Sequence, residues 1–164
     1  HQLEEISSPV LFIPSRRDTG SLSGKTNFYE AQMVADWAER IWKESPEVFD
    51  AHRTLGVITP YRSQIALIRK QFQRKGIPAL LDISVDTVER YQGSERDVII
   101  YSFCVNHRYQ LKFLPNLTEE NGVLIDRKLN VALTRARKRM VVIGVPELLK
   151  ENPIYQHFIS SYSV

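Results

Sequence analysis

Asp97-Val98-Ile99-Ile100-Tyr101-Ser102-Phe103-Cys104-Val105 is the stretch on which the fold turns. A nearly unbroken Val/Ile/Tyr/Phe run keeps no polar face for water, so it predicts a strand covered on both sides, as in a parallel sheet. Met140 to Val145 reads as another buried strand downstream, and Val10 to Ile13, Leu55 to Thr59 and Ile83 to Val88 as shorter ones upstream. Helical periodicity fills the intervals. Ala31, Val34, Ala35, Ala38, Ile41 and Trp42 recur on one face, and Tyr61, Ile65, Ile68 and Phe72 share another, which stops at Gly76, a predicted C-terminal cap. Arg127 to Arg137 is helical by pattern, and the chain beyond Pro146 reads as two short helices. His107 to Gly122 is left as a polar loop, long enough to point to function or disorder. Strand and helix in alternation argue for an α/β fold: an open, mostly parallel sheet with helices on both faces.

The 164 residues suit one domain, spanning 1–164, and His1 in first position suggests a fragment of a longer protein. Lys plus Arg number 22 against 19 Asp plus Glu, a net charge of +3 that permits a nucleic-acid or phosphate partner without requiring one. The single Cys104 excludes an internal disulfide framework and fits a reducing compartment, cytoplasmic or nuclear. No apolar run approaches the ~18 residues of a membrane span, so no membrane partner is expected. The four histidines lack metal-ligand spacing, and no metal site is expected.

Gly20-Ser21-Leu22-Ser23-Gly24-Lys25-Thr26 imitates a phosphate-cradling P-loop, but its outer glycines stand one residue too close and no strand leads directly into it. A surface loop ahead of the first helix is the simpler reading. Three other segments carry more. Thr59-Pro60-Tyr61-Arg62-Ser63-Gln64 lies where a strand ends and a helix begins, and Arg62 is placed there to reach a phosphate. Asp86 to Asp97 packs a Gln92-Gly93 turn and several charges between two buried strands. Leu129-Asn130-Val131-Ala132-Leu133-Thr134-Arg135-Ala136-Arg137 reads as a helix with an apolar stripe. Two residues apart on such a helix, Arg135 and Arg137 would face opposite flanks, leaving one for chemistry and one for structure.

Taken together, these segments resemble the second RecA-like domain of superfamily 1 helicases, in the branch that holds the nonsense-mediated-decay helicase and the Dna two nuclease-helicase. Pro-Tyr-Arg-x-Gln is similar to motif IV, Val-Asp-Thr-Val-x-x-Tyr-Gln-Gly-x-Glu-x-Asp to motif V, and Leu-Asn-Val-Ala-Leu-Thr-Arg-Ala-Arg to motif VI. Asn27-Phe28-Tyr29-Glu30-Ala31 also resembles that family's Asn-x-x-Glu-Ala opening of the first helix. The likeness runs from about Val10 to Tyr162. It implies a P-loop NTPase fold without its own P-loop, with ATP and Mg2+ held mainly by a first RecA-like domain that this chain lacks.

Residue by residue, the resemblance makes Arg135 an arginine finger and Arg62 a second arginine at the γ-phosphate, a role worth ~10³–10⁵ in rate. Glu95 would accept hydrogen bonds from the ribose, with Gln92 and Gly93 shaping its turn. Tyr61 would lie near the base or anchor its helix, the anchor being preferred. Thr87, on the opposite side, would contact a phosphate of single-stranded nucleic acid. DNA is favoured over RNA by the Pro-Tyr-Arg form of motif IV. The chain departs from the family at Ser102-Phe103-Cys104-Val105, where an arginine often follows the strand. The implied function is the second half of a 5′ to 3′ ATP-dependent helicase, inactive as an isolated fragment. Two alternatives are a non-motor nucleic-acid-binding module and a self-sufficient small nucleotidase using Lys25. Arg62 and Arg135 are expected to converge at one rim of the sheet.

Overall fold

The computed structural model describes residues 10–91, 94–108, 110, 117–120 and 123–162. Strand β1 (Val10–Pro14) is followed by helix α1 (Phe28–Glu44), β2 (Leu55–Ile58), α2 (Arg62–Lys75), a 3₁₀ turn (Pro78–Asp82) and β3 (Ser84–Asp86). Next come β4 (Arg96–Ser102), β5 (Leu117–Glu120), β6 (Val123–Asp126), α3 (Arg127–Thr134), β7 (Ala136–Gly144), α4 (Pro146–Leu149) and α5 (Pro153–Tyr162). Five strands form one sheet in the order β1-β7-β4-β2-β3, every pair parallel. β5 and β6 pair separately and antiparallel.

Side-chain alternation along the central strands divides the core in two. Val98 and Ile100 of β4, with Val141 and Ile143 of β7, pack on one face beneath Ala31, Val34, Ala38, Ile68 and Phe72 from α1 and α2. Ile99, Tyr101, Met140 and Val142 point the other way, against Leu129, Ala132 and Leu133 of α3 and Tyr155 and Phe158 of α5. The expected α/β sheet with helices on both faces is therefore present. α1 starts where Asn27 accepts a hydrogen bond from the Glu30 amide at 2.9 Å. α2 stops at Gly76, whose φ of +68° is the left-handed cap that its sequence predicts.

Several boundaries differ from the sequence reading, among them β3, expected over Ile83–Val88 and confined to Ser84–Asp86. β4 ends at Ser102 rather than Val105, because Cys104 adopts φ +55° and turns its amide toward Glu30 Oε1 at 3.0 Å. The helix expected over Arg127–Arg137 ends at Thr134, and β7 begins at Ala136 instead of Met140. Its first residues pair only with β4, Ala136 standing opposite Arg96, while β1 pairs with Met140–Gly144. The charged run Arg137-Lys138-Arg139 can thus sit in a strand and still reach water. Arg135 and Arg137 accordingly share no helix. The stretch expected as a loop, His107–Gly122, contains β5, so Glu119 and Glu120 belong to a strand.

Candidate functional site

An all-parallel sheet has two chemically distinct edges, one where strands begin and one where they end. Arg135 stands at the first. It occupies the turn between α3 and β7, and its carbonyl accepts the Arg96 amide at 2.9 Å. That bond sets it beside Glu95, the residue before β4. Arg135 is half-buried, and its Nε donates to the Tyr91 carbonyl at 3.3 Å. Its terminal nitrogens have no hydrogen-bond partner among the described residues, and neither does the exposed Glu95 carboxylate. This edge therefore offers a fork of free donors for phosphate oxygens next to an acceptor for hydroxyl groups, which fits a nucleotide. Gln92 and Gly93, expected to shape the same turn, lie outside the described residues.

Arg137 is engaged elsewhere. Its Nε meets Asp97 Oδ1 at 3.1 Å and its Nη2 donates to the Arg53 carbonyl at 3.1 Å. Arg137 is thus held in the scaffold as the structural member of the pair, and a strand and an ion pair set it apart from Arg135, not opposite helix flanks.

Arg62 stands at the other edge. It is the first residue of α2, just past the end of β2, and is exposed. Ile58 of β2 lies opposite Tyr101, while Ala136 lies opposite Arg96 at the far end of β4. At ~3.3 Å per residue those two levels are about 17 Å apart. Arg62 and Arg135 leave the sheet in opposite directions from them, so the expected convergence at one rim does not occur. Tyr61 lies on Arg62's side, remote from Glu95, and its hydroxyl accepts from Gln110 Nε2 at 3.0 Å. Its ring packs on the core, as an anchor would.

Thr87 follows β3 on this same carboxyl edge and is buried, with its carbonyl accepting the amides of Arg90 and Tyr91 at 3.2 and 3.0 Å. Across the rest of this edge the surface is cationic, Arg16 and Arg17 following β1 at the opposite side of the sheet from β3. Arg16, Arg17, Lys25 and Arg62 are exposed, and none forms a salt bridge among the described residues. Arg16 stacks on Tyr29 at 3.8 Å, and Lys25 lies 5.8 Å from the Tyr61 ring. The Gly20–Thr26 loop offers no phosphate cradle. The Gly20 amide bonds Asp18 Oδ1, that of Ser21 the Asp18 carbonyl, and that of Lys25 Ser23 Oγ.

Sequence reasoning missed what holds this edge together. Asn27 Nδ2 donates to the Arg16 carbonyl at 2.9 Å and to Asn106 Oδ1 at 3.0 Å, and Asn106 Nδ2 reaches the carbonyls of Gly24 and Thr26. Gln64 brackets the Asn27 backbone with two bonds of 2.9 Å. Fully buried Glu30 accepts from Ser15 Oγ and Ser102 Oγ, each at 2.7 Å, and so ties the ends of β1 and β4 to α1. Burial pushes its carboxyl up to about 7, against the pull of the Ser102, Ser15 and Cys104 hydrogen bonds. The buried Cys104 thiol is likewise pushed up, by desolvation first and then by Glu30 and Asp18. The signal was present in the spacing of Asn27 and Glu30, which opens a helix with a capping residue and an acid three positions on.

The five-stranded parallel sheet, helix-covered on both faces and carrying motifs IV, V and VI in order, defines a RecA-like motor-type domain. Residues 1–147 match the family described as AAA domain. Helicase sen1 of Schizosaccharomyces pombe is 32% identical over 146 residues, 87% of this chain and 8% of that protein. The uncharacterized ATP-dependent helicase MJ0104 of Methanocaldococcus jannaschii is 37% identical, over 92% of this chain and 20% of its own length. The DNA replication ATP-dependent helicase/nuclease DNA2 of Xenopus laevis is 32% identical, over 88% of this chain and 13% of its own. The chain belongs to the AAA domain family, in its superfamily 1B helicase branch. It spans a fifth or less of the length of these three relatives. Among the described residues no helix is long and apolar enough to cross a membrane.

Proposed function

We propose that this domain is the second half of an ATP-driven helicase motor within a longer two-domain protein, with residues 1–164 forming one domain of it. ATP and Mg2+ bind chiefly to the first RecA-like domain, and the amino edge of this sheet closes over the nucleotide. The observation that carries the reading is the separation of chemistries: guanidinium donors and a carboxylate without hydrogen-bond partners among the described residues at one edge, and Thr87 with exposed cations that form no salt bridge among the described residues at the other. When bound, ATP supplies the energy of phosphate transfer. Arg135 offsets charge building on the terminal phosphoryl oxygens, and Glu95 accepts from the ribose hydroxyls. At the carboxyl edge, Thr87 and Arg62 meet phosphates of a single strand, which makes their grip insensitive to base sequence. DNA is the favoured track, in keeping with the DNA2 relative's name.

In the full-length protein, Arg135→Ala abolishes ATP turnover by about 10³-fold or more while single-strand affinity persists. The isolated 164 residues hydrolyse no ATP. Normal turnover by Arg135→Ala, or hydrolysis by the isolated domain that Lys25→Ala removes, would overturn the proposal, the latter in favour of a self-sufficient nucleotidase.

A further inference from the structure

Between β3 and β4 the chain must travel from the carboxyl edge, where Thr87 sits, back to the amino edge, where Glu95 sits. Between the two, Tyr91 packs against Gly56 of β2. It is 4% exposed, and its own backbone groups face both ways. Its N–H donates to the Thr87 carbonyl at 3.0 Å, and its carbonyl accepts from Arg135 Nε at 3.3 Å. One residue therefore joins the strand-facing threonine to the phosphate-facing arginine through two hydrogen bonds.

What holds Tyr91 in place is shape. Its hydroxyl is buried without a hydrogen-bond partner among the described residues, and so it contributes no directional hold. The ring instead fills the space left by Gly56 of β2. A Cβ added there would lie 1.8 Å from Tyr91 Oη, 2.8 Å from Cζ and 3.1 Å from Arg96 Cγ. The Arg96 guanidinium lies 5.6 Å from the ring centroid, while its Nη1 bonds Ser94 Oγ and the Glu95 carbonyl. The crossover is thus wedged between Gly56 and Arg96, and any movement of the wedge carries both ends.

The geometry points to Tyr91 as a positioning residue that couples the two edges. Strand contact at Thr87 sets the Tyr91 backbone, and the Tyr91 carbonyl sets the angle at which Arg135 presents its free nitrogens. This rests on the motor reading above. Because the link is a free-energy coupling, it is reciprocal: nucleotide must change strand affinity by the factor by which strand changes nucleotide affinity.

The test uses the full-length protein carrying Gly56→Ala, which replaces no residue of either edge but drives its methyl into Tyr91, its most severe contact. ATP turnover is measured with and without single-stranded oligonucleotide, and oligonucleotide affinity with and without a non-hydrolysable ATP analogue. We expect stimulation by the strand to fall about fivefold or more, the nucleotide-dependent shift in strand affinity to shrink likewise, and unstimulated turnover to stay within about twofold. Tyr91→Phe preserves the wedge and is expected to keep full stimulation. Adding Tyr91→Phe to Gly56→Ala removes the atom most severely struck and recovers part of the loss. Should Gly56→Ala fail to fold, Tyr91→Leu carries the same expected fall in stimulation. Unchanged stimulation in the folded variant, or an equal loss with and without strand, overturns the coupling. A wild-type protein with no ATP turnover overturns the motor reading together with it.

Discussion

Arg62 and Arg135 stand at opposite ends of the sheet, separated by the length of β4, one past the carboxyl end of β2 and the other just ahead of β7. Two arginines that the motif pattern groups around one phosphate thus stand at opposite edges of the sheet, and the proposed function gives them separate ligands.

That separation predicts different phenotypes. Arg62→Ala is expected to weaken single-strand binding and to lower the slope of log affinity against log salt by about 0.7, one phosphate contact on a single strand. Turnover at saturating strand stays near wild type. Salt titrations of fluorescent oligonucleotide binding, run beside ATPase assays, check this; a large fall in turnover at saturating strand would return Arg62 to the nucleotide.

Glu30 predicts an unusual pH dependence. Its folded value of about 7 lies above the ordinary 4.5, so the native state holds the proton more tightly than the unfolded chain. Stability from this group is complete below about 4.5, falls as pH rises through about 7 and is flat beyond, a change on the order of 3 kcal/mol. Glu30→Gln removes that component. Urea unfolding at pH 5 and pH 8 is expected to show a smaller difference for Glu30→Gln than for the wild type.

Asn27 caps α1 and donates to two acceptors from a fully buried position. Asn27→Ala is expected to cost about 2–4 kcal/mol, from the lost cap and the partners left unsatisfied. Asn27→Asp keeps the cap but sets a carboxylate against the Arg16 carbonyl and Asn106 Oδ1. It should destabilise at least as much at neutral pH, by thermal or urea unfolding.

Gly76→Ala isolates backbone strain. Nothing lies within 4 Å of the added methyl, yet φ is +68°, so a loss of about 1 kcal/mol is expected from conformation alone. Circular-dichroism melts would register it as a modest drop in Tm.

The strands and long helices were legible because their signals are local. Ile99-Ile100 and Val141-Val142 declare a two-sided strand, and the spacing of Ala31, Val34 and Ala38 declares a helix face. The β5–β6 pair also had a local signal that went unread: Asn121-Gly122 between Leu117–Glu120 and Val123–Asp126 is the residue pair favoured in two-residue hairpins. The helix end at Thr134 was illegible for a different reason. Ala136 suits the apolar stripe of α3 as well as it suits a strand, and only its place opposite Arg96 decides between them.

By itself, the sequence determined the class of fold, the alternation of the five main-sheet strands with their helices and the three motif strings, since each follows from periodicity or residue type within a short span. Tertiary structure decided which edge each charged residue occupies. That depends on where strands begin, and strand ends depend on partners distant in the chain. It likewise decided that Asn27, Glu30, Ser102 and Asn106 form one buried network, and that Tyr91 bonds both Thr87 and Arg135, because a hydrogen bond needs positions to a fraction of an ångström, which spacing along a chain does not encode.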